Sequence, residues 1–235
     1  MKVVILAGGK GSRISQYTQK IPKPMIRVGN IPMLTHIMRF FKFYGFNEFI
    51  IAGGYKINII KKYYKNSKEF KSLKIIFTGE NSMTGGRVLK LKKYLKNEDS
   101  FFMTYGDGIT NINLKKLFNF HKKNNKIATV TAVRPPVKFG ELEIDKKSMV
   151  KSFIEKPQVQ KGWINGGFFI LNKKIFNYIK NSSTVFESEP LSKLSKNKQL
   201  IAYKHKGYWK CMDNLNEKKQ LEQIYKQNKS VWNIK

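Results

Sequence analysis

The sequence predicts an α/β fold: a Rossmann-like, mostly parallel mixed sheet flanked by helices, with a small antiparallel part. Short apolar runs alternate with helical periodicity in the first half of the chain, which is typical of right-handed crossovers between parallel strands. In the second half, the turns between apolar runs are too short for crossover helices, which indicates antiparallel pairing. No proline- or glycine-rich linker interrupts the 235 residues. We therefore expect one domain over residues 1–235.

The first half begins with an apolar run at 2–7, which predicts a buried strand ending at a glycine-rich loop. The next element is a helix over 32–44, because Leu34, Ile37 and Phe41 recur at helical spacing on one apolar face. The same reasoning predicts strands at 48–52, 73–77 and 100–104 and helices at 56–65, 87–95 and 113–124.

The second half contains three apolar segments separated only by short turns, at 128–134, 140–144 and 149–154. We expect them to pair as antiparallel strands. The later pattern predicts a further strand at 167–171, helices at 187–197 and 215–227, and a strand at 200–204 between those helices.

The charge is strongly basic, with 46 Lys and Arg against 15 Asp and Glu and a net charge of +31. Such a balance suits nucleic acid, an anionic membrane surface or phosphorylated substrates. The lysines are interleaved with apolar and polar residues, and no run of five basic residues occurs. We therefore interpret them as a solvated surface that also favours a phosphate-rich substrate, and we expect no nucleic-acid partner.

The apolar runs are too short for a signal-peptide core or for a membrane span, which needs roughly 20 residues. Cys211 is the only cysteine, so no intrachain disulfide can form, which fits a reducing compartment. We expect a cytoplasmic protein without a membrane partner. Cys211 is interpreted as a small, half-buried apolar side chain.

The loop after the first strand contains Gly8, Gly9 and Gly11. In open α/β sheets, ligands bind beyond the carboxyl ends of the strands, and glycines let backbone N–H groups approach phosphate closely. Arg13 adds a planar fork suited to phosphate, and Lys23 lies between two prolines. The spacing matches neither the Walker nor the dinucleotide-binding pattern, so a simple tight turn and a nucleotide loop both stay open.

Seven segments together resemble the sugar-1-phosphate nucleotidyltransferase family in order and spacing over almost the whole chain. They are LAGGKGSR (6–13), IPKPM (21–25), TGENSMTGGR (78–87), FFMTYGDG (101–108), EKP (155–157), GWINGGFF (162–169) and MDN (212–214). The match is most similar to members that transfer a cytidylyl group. It implies the nucleotide-diphospho-sugar transferase type of fold, with a nucleotide-binding half at about 1–125 and a sugar-phosphate-binding half at about 126–235.

The resemblance implies Mg²⁺-assisted, in-line transfer of a cytidylyl group from CTP to α-D-glucose 1-phosphate, giving CDP-glucose and pyrophosphate. The family roles fall on catalytic residues Arg13, Lys23 and Lys156, and on Asp107 and Asp213 as metal ligands. Thr84 could also cap a helix. The nucleotide-binding set is Leu6, Ala7, Gly8, Gly9, Gly11, Ser12, Arg13, Lys23, Thr84, Gly85, Arg87 and Asp107; the sugar-binding set is Gly106, Glu155, Lys156, Trp163, Asn165 and Gly166.

The resemblance also implies a homo-oligomer. Two departures from the family are visible: the segment between Tyr64 and Ile75 is shorter than usual, and Asn214 follows Asp213 where threonine is usual. Hydrogen bonds around this metal ligand are therefore expected to differ. Alternative functions are transfer with another nucleoside triphosphate or phosphorylated acceptor and, less favoured, a basic nucleic-acid-binding protein or a non-catalytic nucleotide sensor.

Overall fold

A computed structural model describes residues 1–134, 141–146, 148–154 and 162–227. Its strands are β1 (Val3–Ala7), β2 (Arg27–Val28), β3 (Ile31–Pro32), β4 (Glu48–Gly53), β5 (Ser72–Phe77), β6 (Ser100–Tyr105), β7 (Gly108–Thr110), β8 (Ala128–Val133), β9 (Glu141–Ile144), β10 (Val150–Ile154), β11 (Ile164–Asn172), β12 (Leu200–His205) and β13 (Trp209–Cys211). Its α-helices are α1 (Ser15–Thr18), α2 (Met33–Phe43), α3 (Ile57–Tyr64), α4 (Thr84–Lys90), α5 (Lys92–Leu95), α6 (Leu114–Asn124), α7 (Glu189–Lys196) and α8 (Leu215–Gln227). Short 3-10 helices lie at Ser12–Ile14, Lys23–Met25 and Lys173–Tyr178.

Within these residues, the central sheet has seven strands in the order β12-β8-β11-β6-β1-β4-β5. Strands β6, β1, β4 and β5 are mutually parallel, and β12 is parallel to β8. Strand β11 is antiparallel to both of its neighbours, β6 and β8. The prediction of a mostly parallel mixed sheet flanked by helices is confirmed.

The hydrophobic core lies on both faces of this sheet, because successive side chains of a strand point to opposite faces. In β1, Val3 and Ile5 belong to the cluster that includes α2, whereas Val4 and Leu6 belong to the cluster that includes α4 and α7. All of β1 is buried. Full burial fits a central strand, which carries an almost continuous apolar run.

The predicted pairing of the three segments between 128 and 154 is only partly correct. Strands β9 and β10 pair antiparallel, as expected, but they form a separate two-stranded sheet. Strand β8 pairs instead with β11 and β12. The reason is burial: nearly every residue of β8 is buried, and a strand of this kind is typical of the interior of a sheet, where it has a neighbour on each side.

The helix predicted at 87–95 begins earlier, at Thr84, and is divided at Leu91 into α4 and α5. Gly85 and Gly86 have low helix propensity, so the sequence favoured a later start. Both glycines are buried against residues 182–184, and this tertiary packing stabilises the first turn.

Two small ladders were not predicted, β2 with β3 and β7 with β13. The second ladder matters for function, because β7 follows Asp107 and β13 precedes Asp213. The backbone N–H of Met212 also donates to the carbonyl oxygen of Asp107 at 2.9 Å. The ladder therefore brings two distant segments of the chain to the same end of the sheet. Among the helices described here, none is long and apolar enough to cross a bilayer.

Candidate active site

A cleft of about 550 Å³ opens at the carboxyl ends of β1 and β6, the position at which open α/β sheets bind ligands. Thirteen residues singled out from the sequence line it: Leu6, Ala7, Gly8, Gly9, Gly11, Arg13, Lys23, Thr84, Arg87, Gly106, Asp107, Asn165 and Asp213. Ser12, Gly85, Trp163 and Gly166 are not among its lining residues. Glu155 and Lys156 lie outside the described residues.

Asp107 and Asp213, 106 positions apart in the sequence, converge on the ammonium group of Lys23. Nζ of Lys23 lies 2.5 Å from Oδ2 of Asp107 and 2.7 Å from Oδ1 of Asp213. The other carboxylate oxygen of Asp213 accepts a hydrogen bond from Nη1 of Arg13 at 3.0 Å. Four side chains that the sequence singled out thus form one charged cluster beside the glycine loop.

The ionisation of Lys23 follows from its neighbours. Burial lowers the pKa of its ammonium group, but the charge of Asp107 and the hydrogen bonds that the ammonium donates to both carboxylates outweigh burial, so the pKa is raised. Lys23 is therefore a permanent cation at neutral pH. Because most of its side chain is shielded from water, this charge acts in a medium of lower dielectric constant than bulk water.

The donor set fits a hard divalent cation. The carboxylates of Asp107 and Asp213 both bind the ammonium group of Lys23, so they already lie close enough to share one cation. Mg²⁺ prefers oxygen ligands of this kind. Among the described residues, ligand atoms of Cys211, Asp213 and Glu217 also lie within 4.8 Å of one another. Burial, with Asp213 nearby, raises the pKa of the Cys211 thiol to about 12. The thiol is protonated at neutral pH, so the carboxylates are the better ligands.

Arg87 is buried behind the glycine loop and binds its backbone. It is 4% exposed, and its guanidinium donates to the carbonyl oxygens of Gly8 at 2.9 Å and Gly79 at 2.7 Å. It also donates to the hydroxyl of Thr78 at 2.9 Å and to the carbonyl of Glu80 at 3.1 Å. A Cβ atom on Gly8 would lie 2.0 Å from Nη1, so only glycine permits this approach. The resemblance implies a contact with nucleotide phosphate, whereas these donors bind the chain's own oxygens.

Thr84 is not the N-cap of α4, contrary to the expectation from sequence. The N-cap is Met83, which makes no side-chain cap, and Thr84 is the first helical residue. The Thr84 hydroxyl instead donates to Oε2 of Glu187 at 2.6 Å and accepts from the backbone N–H of Phe186 at 2.8 Å. The start of α4 is therefore fixed by the segment at 182–187.

Glu187 was not predicted from the sequence. Its second oxygen accepts a hydrogen bond from the hydroxyl of Tyr105, a residue lining the cleft. Burial, followed by the charge of Glu187, raises the pKa of Tyr105 well above its usual value, and the side chain of Asn165 also bonds to this phenol. A series of hydrogen bonds thus links Thr84 to Glu187, Glu187 to Tyr105 and Tyr105 to Asn165. It joins a residue with a predicted nucleotide role, Thr84, to one with a predicted sugar role, Asn165. No local pattern around Glu187 signals this contact.

The predicted sugar side is built around a strand start. Oδ1 of Asn165 accepts from the backbone N–H of Gly167 at 2.8 Å, and the indole N–H of Trp209 donates to the carbonyl of Gly166 at 2.6 Å. Trp209 lines the cleft, although the sequence pattern pointed to Trp163. Trp163 instead lies against the guanidinium of Arg134, 4.4 Å from the ring centre.

Other lining residues that were missed had no distinguishing signal. Pro24 is next to Lys23, and Cys211 is two residues before Asp213. Ser82 and Met83 belong to the segment at 78–87. Nothing in the type or spacing of these four residues predicted that they line a binding site. They enter the wall of the cleft because the strand ends converge there.

Comparison with known proteins gives a consistent result. The family model described as Nucleotidyl transferase matches residues 2–217. The chain is 39% identical over 254 aligned residues to a glucose-1-phosphate cytidylyltransferase of Salmonella typhimurium, covering 99% of this chain and 98% of that one. It is 40% identical over 256 aligned residues to a probable glucose-1-phosphate cytidylyltransferase of Bacillus subtilis, covering both chains completely.

More distant similarities extend to other nucleotides. A mannose-1-phosphate guanyltransferase of Candida albicans is 31% identical over 89% of this chain and 60% of its own length. Among solved structures, HddC from Yersinia pseudotuberculosis, which is also known in complex with GMP-PN, has a TM-score of 0.74 at 27% identity, covering 95% of this chain and 99% of that chain.

Proposed function

Because the chain belongs to the nucleotidyl transferase family, we propose that it transfers the cytidylyl group of CTP to α-D-glucose 1-phosphate. The products are CDP-glucose and pyrophosphate. The identity of 39–40% to relatives named for this activity, over nearly the full length of both chains, supports the choice of nucleotide and sugar. The convergence of Asp107, Asp213 and Lys23 beside the glycine loop is the single structural observation that carries the proposal.

The reaction requires no covalent enzyme intermediate. A phosphate oxygen of glucose 1-phosphate attacks the α-phosphorus of CTP, forming a new P–O bond. The bond from the α-phosphorus to the bridging oxygen breaks, and pyrophosphate leaves with that electron pair. Positioning and charge stabilisation are therefore the protein's main contributions.

The charged cluster supplies these contributions. Members of the family generally use a divalent metal ion, and we propose Mg²⁺ held by Asp107 and Asp213; a bound Mg²⁺ neutralises charge at the phosphates. Lys23 and Arg13 are within contact distance of these carboxylates. We infer that both cations turn to the nucleotide phosphates, because phosphate oxygens are strong acceptors for ammonium and guanidinium groups.

The two substrates occupy opposite sides of the cleft in this proposal. The nucleotide takes the glycine loop and the start of α4, which belong to the half at about 1–125. Glucose 1-phosphate takes the side of Asn165 and Gly166, in the half at about 126–235. Lys156, outside the described residues, is proposed to hold the incoming phosphate. We also propose a cytoplasmic homo-oligomer.

The test is pyrophosphate release with CTP, UTP, dTTP, ATP and GTP, each paired with glucose 1-phosphate and with mannose 1-phosphate. We expect CTP with glucose 1-phosphate to give the highest kcat/KM. The Asp107→Asn variant is the matched inactive control for contaminating activity. Preference for GTP with mannose 1-phosphate would instead favour the function named for the fungal relatives. Binding of CTP without pyrophosphate release from any pair would indicate a nucleotide sensor.

A further inference from the structure

We propose that Glu217, on the first turn of α8, is a positioning residue for Asp213. It would hold the main chain at Asp213 so that the Asp213 carboxylate keeps the orientation that the divalent cation requires. The inference rests on the proposed function, in which Asp213 is a metal ligand. It adds a residue that none of the seven sequence segments named above contains, because MDN ends at Asn214.

The segment from Asp213 to Glu217 forms a modified capping box. Oδ1 of Asn214 accepts a hydrogen bond from the backbone N–H of Glu217 at 3.0 Å. The backbone carbonyl oxygen of Asn214 accepts a second one from the backbone N–H of Lys218, also at 3.0 Å. These are the contacts of an N-cap residue and the helical residue three positions later. In the usual capping box, the carboxylate at that later position accepts from the N–H of the N-cap itself.

Here the carboxylate reaches one residue further back. Oε2 of Glu217 accepts the backbone N–H of Asp213 at 2.6 Å. A hydrogen bond to an ionised acceptor is roughly twice as strong as a neutral one. The cap therefore fixes Asp213, the residue before the N-cap, more firmly than an ordinary helix start would.

This contact is independent of those made by the Asp213 side chain. The carboxylate oxygens of Asp213 bind Lys23 and Arg13, and the proposed function sends both cations to the nucleotide phosphates. The bond joins the main-chain N–H of Asp213 to the side chain of Glu217 and uses neither carboxylate oxygen of Asp213, so movement of those cations does not remove either of its partners. Glu217 thus keeps Asp213 oriented at the stage when metal and nucleotide are bound.

Helix α8 provides a rigid base for Glu217. Leu221, one turn further along, is fully buried in the core. Tyr225 packs edge-on against His36 of α2, with ring centres 5.6 Å apart. The position of Glu217 is therefore set by core packing, and an outer hydrogen-bond partner of a metal ligand typically changes metal affinity by about 10–100-fold when removed.

The test is direct binding of Mn²⁺ as the probe ion, measured from the electron paramagnetic resonance signal of free Mn²⁺ with and without CTP. We expect Glu217→Ala to weaken Mn²⁺ binding by about 10–100-fold. Glu217→Gln retains a neutral oxygen acceptor for the Asp213 N–H, so we expect it to bind Mn²⁺ more weakly than the wild type but more tightly than Glu217→Ala. Glu222→Ala is the matched control, because Glu222 also accepts a backbone N–H, that of Gly29 at 3.0 Å, but on the far side of α8.

Each outcome decides the inference. Wild-type affinity in a folded Glu217→Ala protein would overturn it, and so would equal weakening by Glu222→Ala, which would indicate a general loosening of α8. If Glu217→Gln binds as weakly as Glu217→Ala, the charge rather than the hydrogen bond is needed, and the positioning role fails. If Glu217→Ala does not fold, Asn214→Ala and Asn214→Thr replace it, with weakening expected only for the alanine. Absence of Mn²⁺ binding by the wild type would instead refute the proposed metal use.

Discussion

The carbonyl oxygen of Gly8 accepts a hydrogen bond from Nη2 of Arg87 at 2.9 Å, across 79 positions of sequence. This bond ties the glycine loop after β1 to helix α4. The same guanidinium reaches oxygens of the segment at 78–80, so one side chain connects the glycine loop, α4 and the segment that leads into α4.

Arg87→Lys is expected to destabilise the protein as well as weaken CTP binding. An ammonium group cannot reproduce the planar fork, and each lost hydrogen bond to a buried charged group is worth about 1.5–3 kcal/mol. Urea unfolding without nucleotide should therefore show a lower free energy of unfolding, and the KM for CTP should rise. Unchanged stability with a raised KM would mean that Arg87 acts on the nucleotide phosphate, as the resemblance implies, and not as a brace.

Lys23→Ala should lower kcat/KM for pyrophosphate release by about 10²–10³-fold, the usual effect of removing one charge-stabilising donor. The free energy of unfolding should also fall, because the change leaves the carboxylates of Asp107 and Asp213 close together without the cation that they share. Thermal unfolding checks this second expectation. Lys61→Ala, which removes an exposed lysine from α3, is the control for the loss of one positive charge. Near-normal turnover of the Lys23 variant would contradict its assignment.

Gly86→Ala is expected to lower the free energy of unfolding by about 1–3 kcal/mol, the range for overpacking a buried site. A Cβ atom at this position would lie 2.1 Å from the carbonyl oxygen of Ser182, which is backbone and cannot rotate away. Gly9→Ala is the comparison, because its Cβ would have no atom within 4 Å. The Gly9 variant should unfold like the wild type and lose CTP affinity if the loop backbone approaches the nucleotide. Equal stability of the two variants would refute the packing argument.

Stability should fall as the pH is lowered from about 6.5 toward 5, because of the histidines. Burial lowers the pKa of His36, His121 and His205 below the usual value of 6.5. The unfolded chain then binds more protons than the folded one in this window, so the free energy of unfolding decreases with falling pH. The slope is at most about 1.4 kcal/mol per pH unit for each histidine.

Urea unfolding at pH 7.5, 6.5, 5.5 and 5.0 measures this slope. His36→Gln should reduce it, because His36 is 3% exposed and its Nε2 contacts the carbonyl oxygen of Val28 at 2.9 Å. A slope that is the same in both proteins would show that His36 does not contribute. The carboxyl group of Glu69 titrates at lower pH, because the hydrogen bond from Arg39 lowers its pKa below the usual value of 4.5.

The sequence by itself determined the architecture and much of the cleft. Alternating apolar runs and helical periodicity depend on local residue order, so they located β1, β4, β6, α2 and α8 within a residue or two. The resemblance of the segments around Gly8, Lys23, Asp107 and Asp213 to a known family named the members of the charged cluster, whereas residue type alone left a simple turn open at Gly8 and Asp107.

Only the tertiary structure decided how distant segments meet. The β7 and β13 ladder, the contact of Arg87 with Gly8, and the bonds of Glu187 to Tyr105 and Thr84 each join residues more than 75 positions apart. No local periodicity encodes such pairs, since they arise when the chain packs both faces of the sheet and satisfies its buried polar groups. For the same reason β8 joined the central sheet and not the nearby hairpin.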